Sequence, residues 1–173
     1  MTKLAAENLC RLYAQTRGLN AAVLRTARFF PEDDDTHATP SGENLKANEL
    51  LHRRLTVEDA ADAHIAALHR APQIGFGTFI LSAPTLFTRE HARALKEDAS
   101  AVIARLFPEA PALYAAKGWS LPRSIGRVYD SAHAEEVLGF RCATSFADVM
   151  TALREGQAMP FTHDPAYLSP KER

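Results

Sequence analysis

Apolar positions return along most of the chain at helical or strand periods, and that pattern divides it into elements. Between Lys3 and Arg17, Leu4, Ala5, Leu9, Leu12 and Tyr13 recur every three or four residues, which predicts a helix with one buried face. Gly18 suits the left-handed position that ends such a helix, and Arg17 complements the negative end of its dipole. Ala21 to Thr26 is a short, mostly apolar run after Gly-Leu-Asn and predicts a strand covered on both faces. A helix passing directly into a buried strand is half of a parallel α/β unit.

Further along, Leu45 to Leu51 predicts a short helix with Ser41 as N-cap, and Leu55 to Val57 a short strand. A helix then opens on Glu58, Asp59 and Asp62, carboxylates favoured near a helix start, while Ala60, Ala63, Ala67 and Leu68 make a small-residue face suited to close packing on a sheet. Phe79 to Pro84 reads as a buried strand after a Gly-bearing turn. Thr88 caps a helix running to about Leu106, which Pro108 and Pro111 close, and the stretch from Tyr114 to Pro122 reads as irregular. Arg123 and Arg127 flank Ile125 in an extended segment. Asp130 or Ser131 caps a two-turn helix packed by Ala134 and Leu138 and ended by Gly139, and a final amphipathic helix begins near Ser145 with Val149, Met150 and Leu153 inward. From Gly156 onward, prolines and scattered polar residues predict a tail.

The 173 residues suit one domain, and at a formal charge of −1 with pI near 6.7 no global field favours nucleic acid or an anionic membrane. No apolar run approaches the roughly 20 residues needed to cross a bilayer, and Cys10 and Cys142 lack CxxC spacing, so the chain is expected to be cytoplasmic with reduced thiols. His64 and His69, five apart, do not share a helix face, and the acidic run Glu32 to Asp35 reads as a solvated loop, so no metal site is expected. Gly75 and Gly77 precede a strand where a dinucleotide fingerprint would follow one. Trp119 either packs on the core or stacks on a ligand ring. Lys3 stands in a first helical turn, where the dipole disfavours a cation.

Three segments carry a resemblance. Thr2-Lys3-Leu4-Ala5-Ala6-Glu7 with its helix, followed by Val23-Leu24-Arg25 and Phe29-Phe30-Pro31, resembles the middle of extended short-chain dehydrogenases/reductases, the NAD-dependent epimerase/dehydratase family, with Lys3 matching the lysine of its Tyr-x-x-x-Lys motif. Val57 to His64 resembles the family's V-x-[DE]-D-[VA]-A-x-A, and Val128 to Phe140 its D-x-[ST]-[KR]-A-x-x-x-L-G-[FWY]. Departures are visible: Arg28 falls at about the position of an Asn that touches substrate, Arg53 and Arg54 lack the family's following Asp and aromatic, and His133 and Cys142 replace a base and a Pro.

The resemblance implies an α/β fold, the carboxyl-terminal part of a Rossmann-like parallel sheet with the smaller substrate-binding lobe, and a chain that starts inside the catalytic motif with the amino-terminal nucleotide-binding half absent. Residues 1–31 and 52–83 would form the sheet core, 32–51 and 84–155 the substrate lobe and 156–173 the tail. Lys3 would be catalytic and, with Thr26, Ala27 and Arg28, would face NAD or NADP; Arg28, Arg53, Arg54 and Trp119 would meet the substrate. In ligand-binding α/β sheets this rim lies beyond the strand carboxyl ends, and a guanidinium at Arg28 suits an anionic group. The activity implied is that of an NAD(P)-dependent epimerase, dehydratase or related oxidoreductase acting on a hydroxyl or keto group of a sugar-nucleotide-like or other small substrate. The alternative is a non-catalytic remnant that binds a ligand or dimerises, because neither the Tyr nor the Gly-rich turn occurs in these residues. Exposed sheet edges predict self-association as a homodimer.

Overall fold

The protein is seen in a computed structural model that describes residues 2–29 and 42–161. The Phe30-Pro31 loop, the acidic run Glu32 to Asp35, the Ser41 cap and the last twelve residues of the predicted tail lie outside them. Helix α1 (Thr2–Arg17) leads into strand β1 (Ala21–Thr26); α2 (Gly42–Leu50) and α3 (Val57–Ile74) precede strand β2 (Phe76–Leu81). A 3₁₀ turn (Arg89–His91), α4 (Ala92–Leu106), α5 (Ala110–Ala116), α6 (Ala132–Leu138) and α7 (Phe146–Glu155) complete the order. Among the described residues β1 and β2 form a two-stranded parallel sheet, Ala21 opposite Phe76 and Thr26 opposite Leu81. The architecture is mixed α/β and Rossmann-like in part.

Alternation along the strands separates two faces. Leu24 and its partner Phe79 belong to one cluster with Ala60, Ala63 and Ala67 of α3 and with Ala134 and Leu138 of α6. The three alanines of the expected small-residue face of α3 therefore do pack on the sheet, whereas Leu68, expected on the same face, is 72 % exposed. Gly77 makes room there: a Cβ would come within 2.5 Å of the Phe79 ring. On α3 the N-cap is Thr56, whose Oγ1 accepts from the Asp59 N–H at 3.1 Å, so the expected strand over Leu55 to Val57 reduces to a single parallel bridge between Arg28 and Arg54. Asp59 is buried and accepts from the Ala143 and Thr144 N–H groups at 2.6 and 3.3 Å, tying α3 to the segment before α7.

On the other side the expectation fails in an instructive way. Helix α1 forms over the predicted span and Gly18 ends it at φ +66°, yet no residue of α1 is buried. Leu4, Leu9, Leu12 and Tyr13 are 60, 54, 52 and 45 % exposed. The helix leans on the sheet through the opposite side: Glu7 pairs with Arg25 at 3.0 and 2.6 Å, and Arg11 lies 5.3 Å over the Phe76 ring. Strand β1 is accordingly half-buried along its length with Arg25 exposed, not covered on both faces.

A second cluster joins α2, α4, α5 and α7 through Leu50, Leu95, Ile103, Tyr114, Val149 and Met150. The stretch read as irregular begins helical: α5 carries Pro111 in its first turn, where the missing N–H costs no hydrogen bond. Helix α4 is interrupted at Asp98 (φ −153°, ψ 84°), and an extended segment docks into the gap. Ile125 N–H donates to Leu95 C=O at 2.8 Å, Ala99 N–H to Arg123 C=O at 3.0 Å, and Ser124 Oγ to Lys96 C=O at 2.9 Å. Gly139 ends α6 as predicted, and α7 begins after Ser145, near the predicted start, and is closed by Gly156 in the left-handed conformation.

Candidate functional site

Beyond the carboxyl ends of β1 and β2 the chain brings its arginines together. Past Thr26, Ala27 N–H donates to Leu81 C=O at 2.8 Å, and Leu55 N–H donates to Arg28 C=O at 3.1 Å. Ala83 N–H donates to Arg54 C=O at 2.8 Å, so the turn carrying Arg53 and Arg54 is threaded between the two strand ends. Its other side is held by His52, whose C=O accepts from Tyr129 N–H at 2.8 Å and whose Nδ1 lies 2.9 Å from Arg127 C=O. Burial, with the Arg53 charge adding to it, pushes the His52 ring down to about 4, so it is neutral at physiological pH and Nδ1 carries the proton donated to Arg127.

The centre of the group is Glu49, near the end of α2 and 1 % exposed. Arg28 Nη1 donates to its Oε1 at 3.0 Å, Arg53 Nη2 to the same oxygen at 2.5 Å, and Arg54 Nη1 to Oε2 at 2.7 Å. Arg54 is buried, whereas the Arg28 and Arg53 side chains keep 34 and 38 % of their surface. A buried carboxylate needs such partners, since desolvation without them would neutralise it. Helix α2 has no apolar stripe: Asn44, Lys46 and Asn48 are buried beside Glu49, with Asn44 and Asn48 bonding the Ser120 backbone at 2.9 to 3.1 Å. Sequence reasoning missed Glu49. The available signal was the pair Glu49 and Arg53 four apart in the favourable order.

The remaining expected residues are placed as follows. Thr26 ends β1 half-buried and Ala27 is 4 % exposed, both beside the arginine group through Arg28. Lys3 is exposed and bonds no described residue; it stands one helical turn before Glu7, whose Arg25 partner is near the end of β1, and so lies at the same end of the sheet. Trp119 is half-buried, edge-on to Tyr114 at 5.4 Å between ring centroids, in the second cluster. An apolar cavity of about 170 Å³, lined by Leu51, Phe87, Phe107 and Phe146, contains none of the expected residues.

No family model and no curated protein matches the chain. Among solved structures, UDP-N-acetylglucosamine 4-epimerase from Bacillus cereus is similar, at 24 % identity and a TM-score of 0.50, over 88 % of this chain and 49 % of that one. The chain thus spans about half the length of that structure. At this identity the likeness is one of fold alone, and it matches the α/β arrangement described above to part of a Rossmann-like fold.

Proposed function

We propose that the chain provides the substrate-side portion of an NAD(P)-dependent epimerase, dehydratase or related oxidoreductase, with the arginines beyond β1 receiving the anionic part of a sugar-nucleotide-like small molecule. The observation that carries this is the convergence of Arg28, Arg53 and Arg54 on Glu49 at the carboxyl end of a parallel sheet, the end at which open α/β folds take ligands. Planar guanidinium forks suit phosphate and carboxylate oxygens. The similarly folded solved structure is a UDP-N-acetylglucosamine 4-epimerase, which makes a sugar nucleotide the first ligand to test.

The residues fit a nicotinamide dinucleotide in part. Lys3 and Thr26 offer groups suited to ribose hydroxyls, and as a cation Lys3 would hold a nearby phenol more acidic. Among the described residues no glycine-rich turn opens a helix toward a pyrophosphate, so that part of the cofactor has no seat here. When bound, NAD or NADP would supply the hydride acceptor. Calorimetric titration tests the reading: UDP-N-acetylglucosamine is expected to bind saturably and to lose affinity in Arg28→Ala and Arg53→Ala, and silence with the sugar nucleotide overturns it. A specific observation favours the second reading as well, a non-catalytic module: α1 leaves its apolar stripe exposed, and we propose homodimers through it, checked by sedimentation velocity of the chain and of Leu9→Glu.

A further inference from the structure

We infer that Glu49 is a positioning residue that spreads Arg28, Arg53 and Arg54 about one buried carboxylate, and that Arg53 is the arm that meets the ligand's oxyanion; this rests on the anion-binding reading above. The two oxygens of Glu49 divide the work. Oε1 takes both Arg28 and Arg53, which brings two like charges close together, and Oε2 takes Arg54 from the interior. The main chain of this turn is fixed by its own bonds to Arg28, Ala83 and Tyr129, so the carboxylate governs where the side chains point and not the path of the backbone.

Arg53 has capacity left. A guanidinium carries five N–H groups, and among the described residues Arg53 commits only Nη2, to Glu49. Its Nε is buried with no hydrogen-bond partner, while the side chain as a whole keeps 38 % of its surface. That N–H is closed to solvent, so the exposed surface of the side chain, and the donors a ligand can reach, belong to its other atoms. Arg53 therefore combines a fixed end with an accessible one. The ligand group it fits is a phosphate or carboxylate oxyanion held in a bidentate fork.

Charge and position make opposite predictions, which permits a decisive test. Glu49→Gln removes a negative charge, so attraction alone would tighten anion binding; loss of the fan loosens it. With inorganic pyrophosphate and citrate as probes in calorimetry, at least one binds the wild-type chain, Glu49→Gln weakens that binding by about tenfold or more, and Arg53→Lys, which keeps the charge and removes the fork, weakens it similarly. Circular dichroism and thermal melting confirm that both variants fold; Arg53→Lys, at a half-exposed position, carries the test if Glu49→Gln does not. No saturable binding of either probe or of the sugar nucleotide to the wild type overturns the anion-binding reading and this inference together. Wild-type binding with Glu49→Gln equal or tighter overturns the positioning role alone, and an unchanged Arg53→Lys overturns the arm.

Discussion

Helices α3 and α1 both lie against the parallel sheet, both are amphipathic in sequence, and only one is covered. Helix α3 presents Ala60, Ala63 and Ala67, which bring its backbone close enough for Phe79 and Leu81 to be buried between them. Helix α1 presents four large side chains and buries none of them. Small residues mark the face pressed on this chain's own sheet, and the large ones of α1 mark a face that the described residues leave open. An apolar stripe thus reports that a face is fit for burial, without naming what buries it.

Substitution should separate the two helices most sharply. Ala63→Phe, at a site with no exposed surface, overpacks the α3 and sheet contact and is expected to cost about 3 kcal/mol in urea unfolding. A cost below 1 kcal/mol would mean that α3 is as loosely held as α1. Acid sharpens the same contrast. His52 sits inside at about 4, below its ordinary 6.5, so the unfolded chain takes up the proton first; stability is full above about pH 6.5 and falls as pH drops toward 4, by about 2–3 kcal/mol. His52→Asn, which keeps a donor for Arg127, should flatten that slope. On the α1 flank, the Arg25 hydrogen bond holds the Glu7 carboxyl below its usual range, but the pair is solvent-exposed and Arg25→Ala should leave the acid profile in place.

Asp59→Ala removes the acceptor of two backbone N–H groups and should cost about 1–2 kcal/mol, read from the same unfolding curves. Leu12→Gln on α1 should stay within about 0.5 kcal/mol. The smallest effect is chemical: Cys10 on α1 is exposed and should react with a thiol reagent on mixing. Cys142, pushed up to about 12 chiefly by burial and donating to Ser82 C=O at 3.3 Å, should react only on unfolding.

What the residues disclosed beforehand follows from which physics is local. The ends of α1 and α6 were legible because Gly18 and Gly139 both take positive φ, a requirement written in a single residue. Strand β1 was legible as a short apolar run, but its half-covered state depends on where α1 sits. Pro111 misled because a proline near a helix boundary can open the next helix as well as close the last. Arg28, Arg53 and Arg54 were singled out one by one, whereas their meeting on Glu49 depends on a helix without hydrophobic period, for which pattern analysis has no signal.

The break in α4 has a mechanical consequence. Because the carbonyls of Leu95 and Lys96 and the amide of Ala99 are satisfied by residues 123–125, neither half of that helix can loosen without releasing the segment stitched into it. The two strands of chain should therefore exchange their amide hydrogens as one cooperative unit, and a fault in the seam at Ser124 should register in the protection of Ala99 and Ile125 alike.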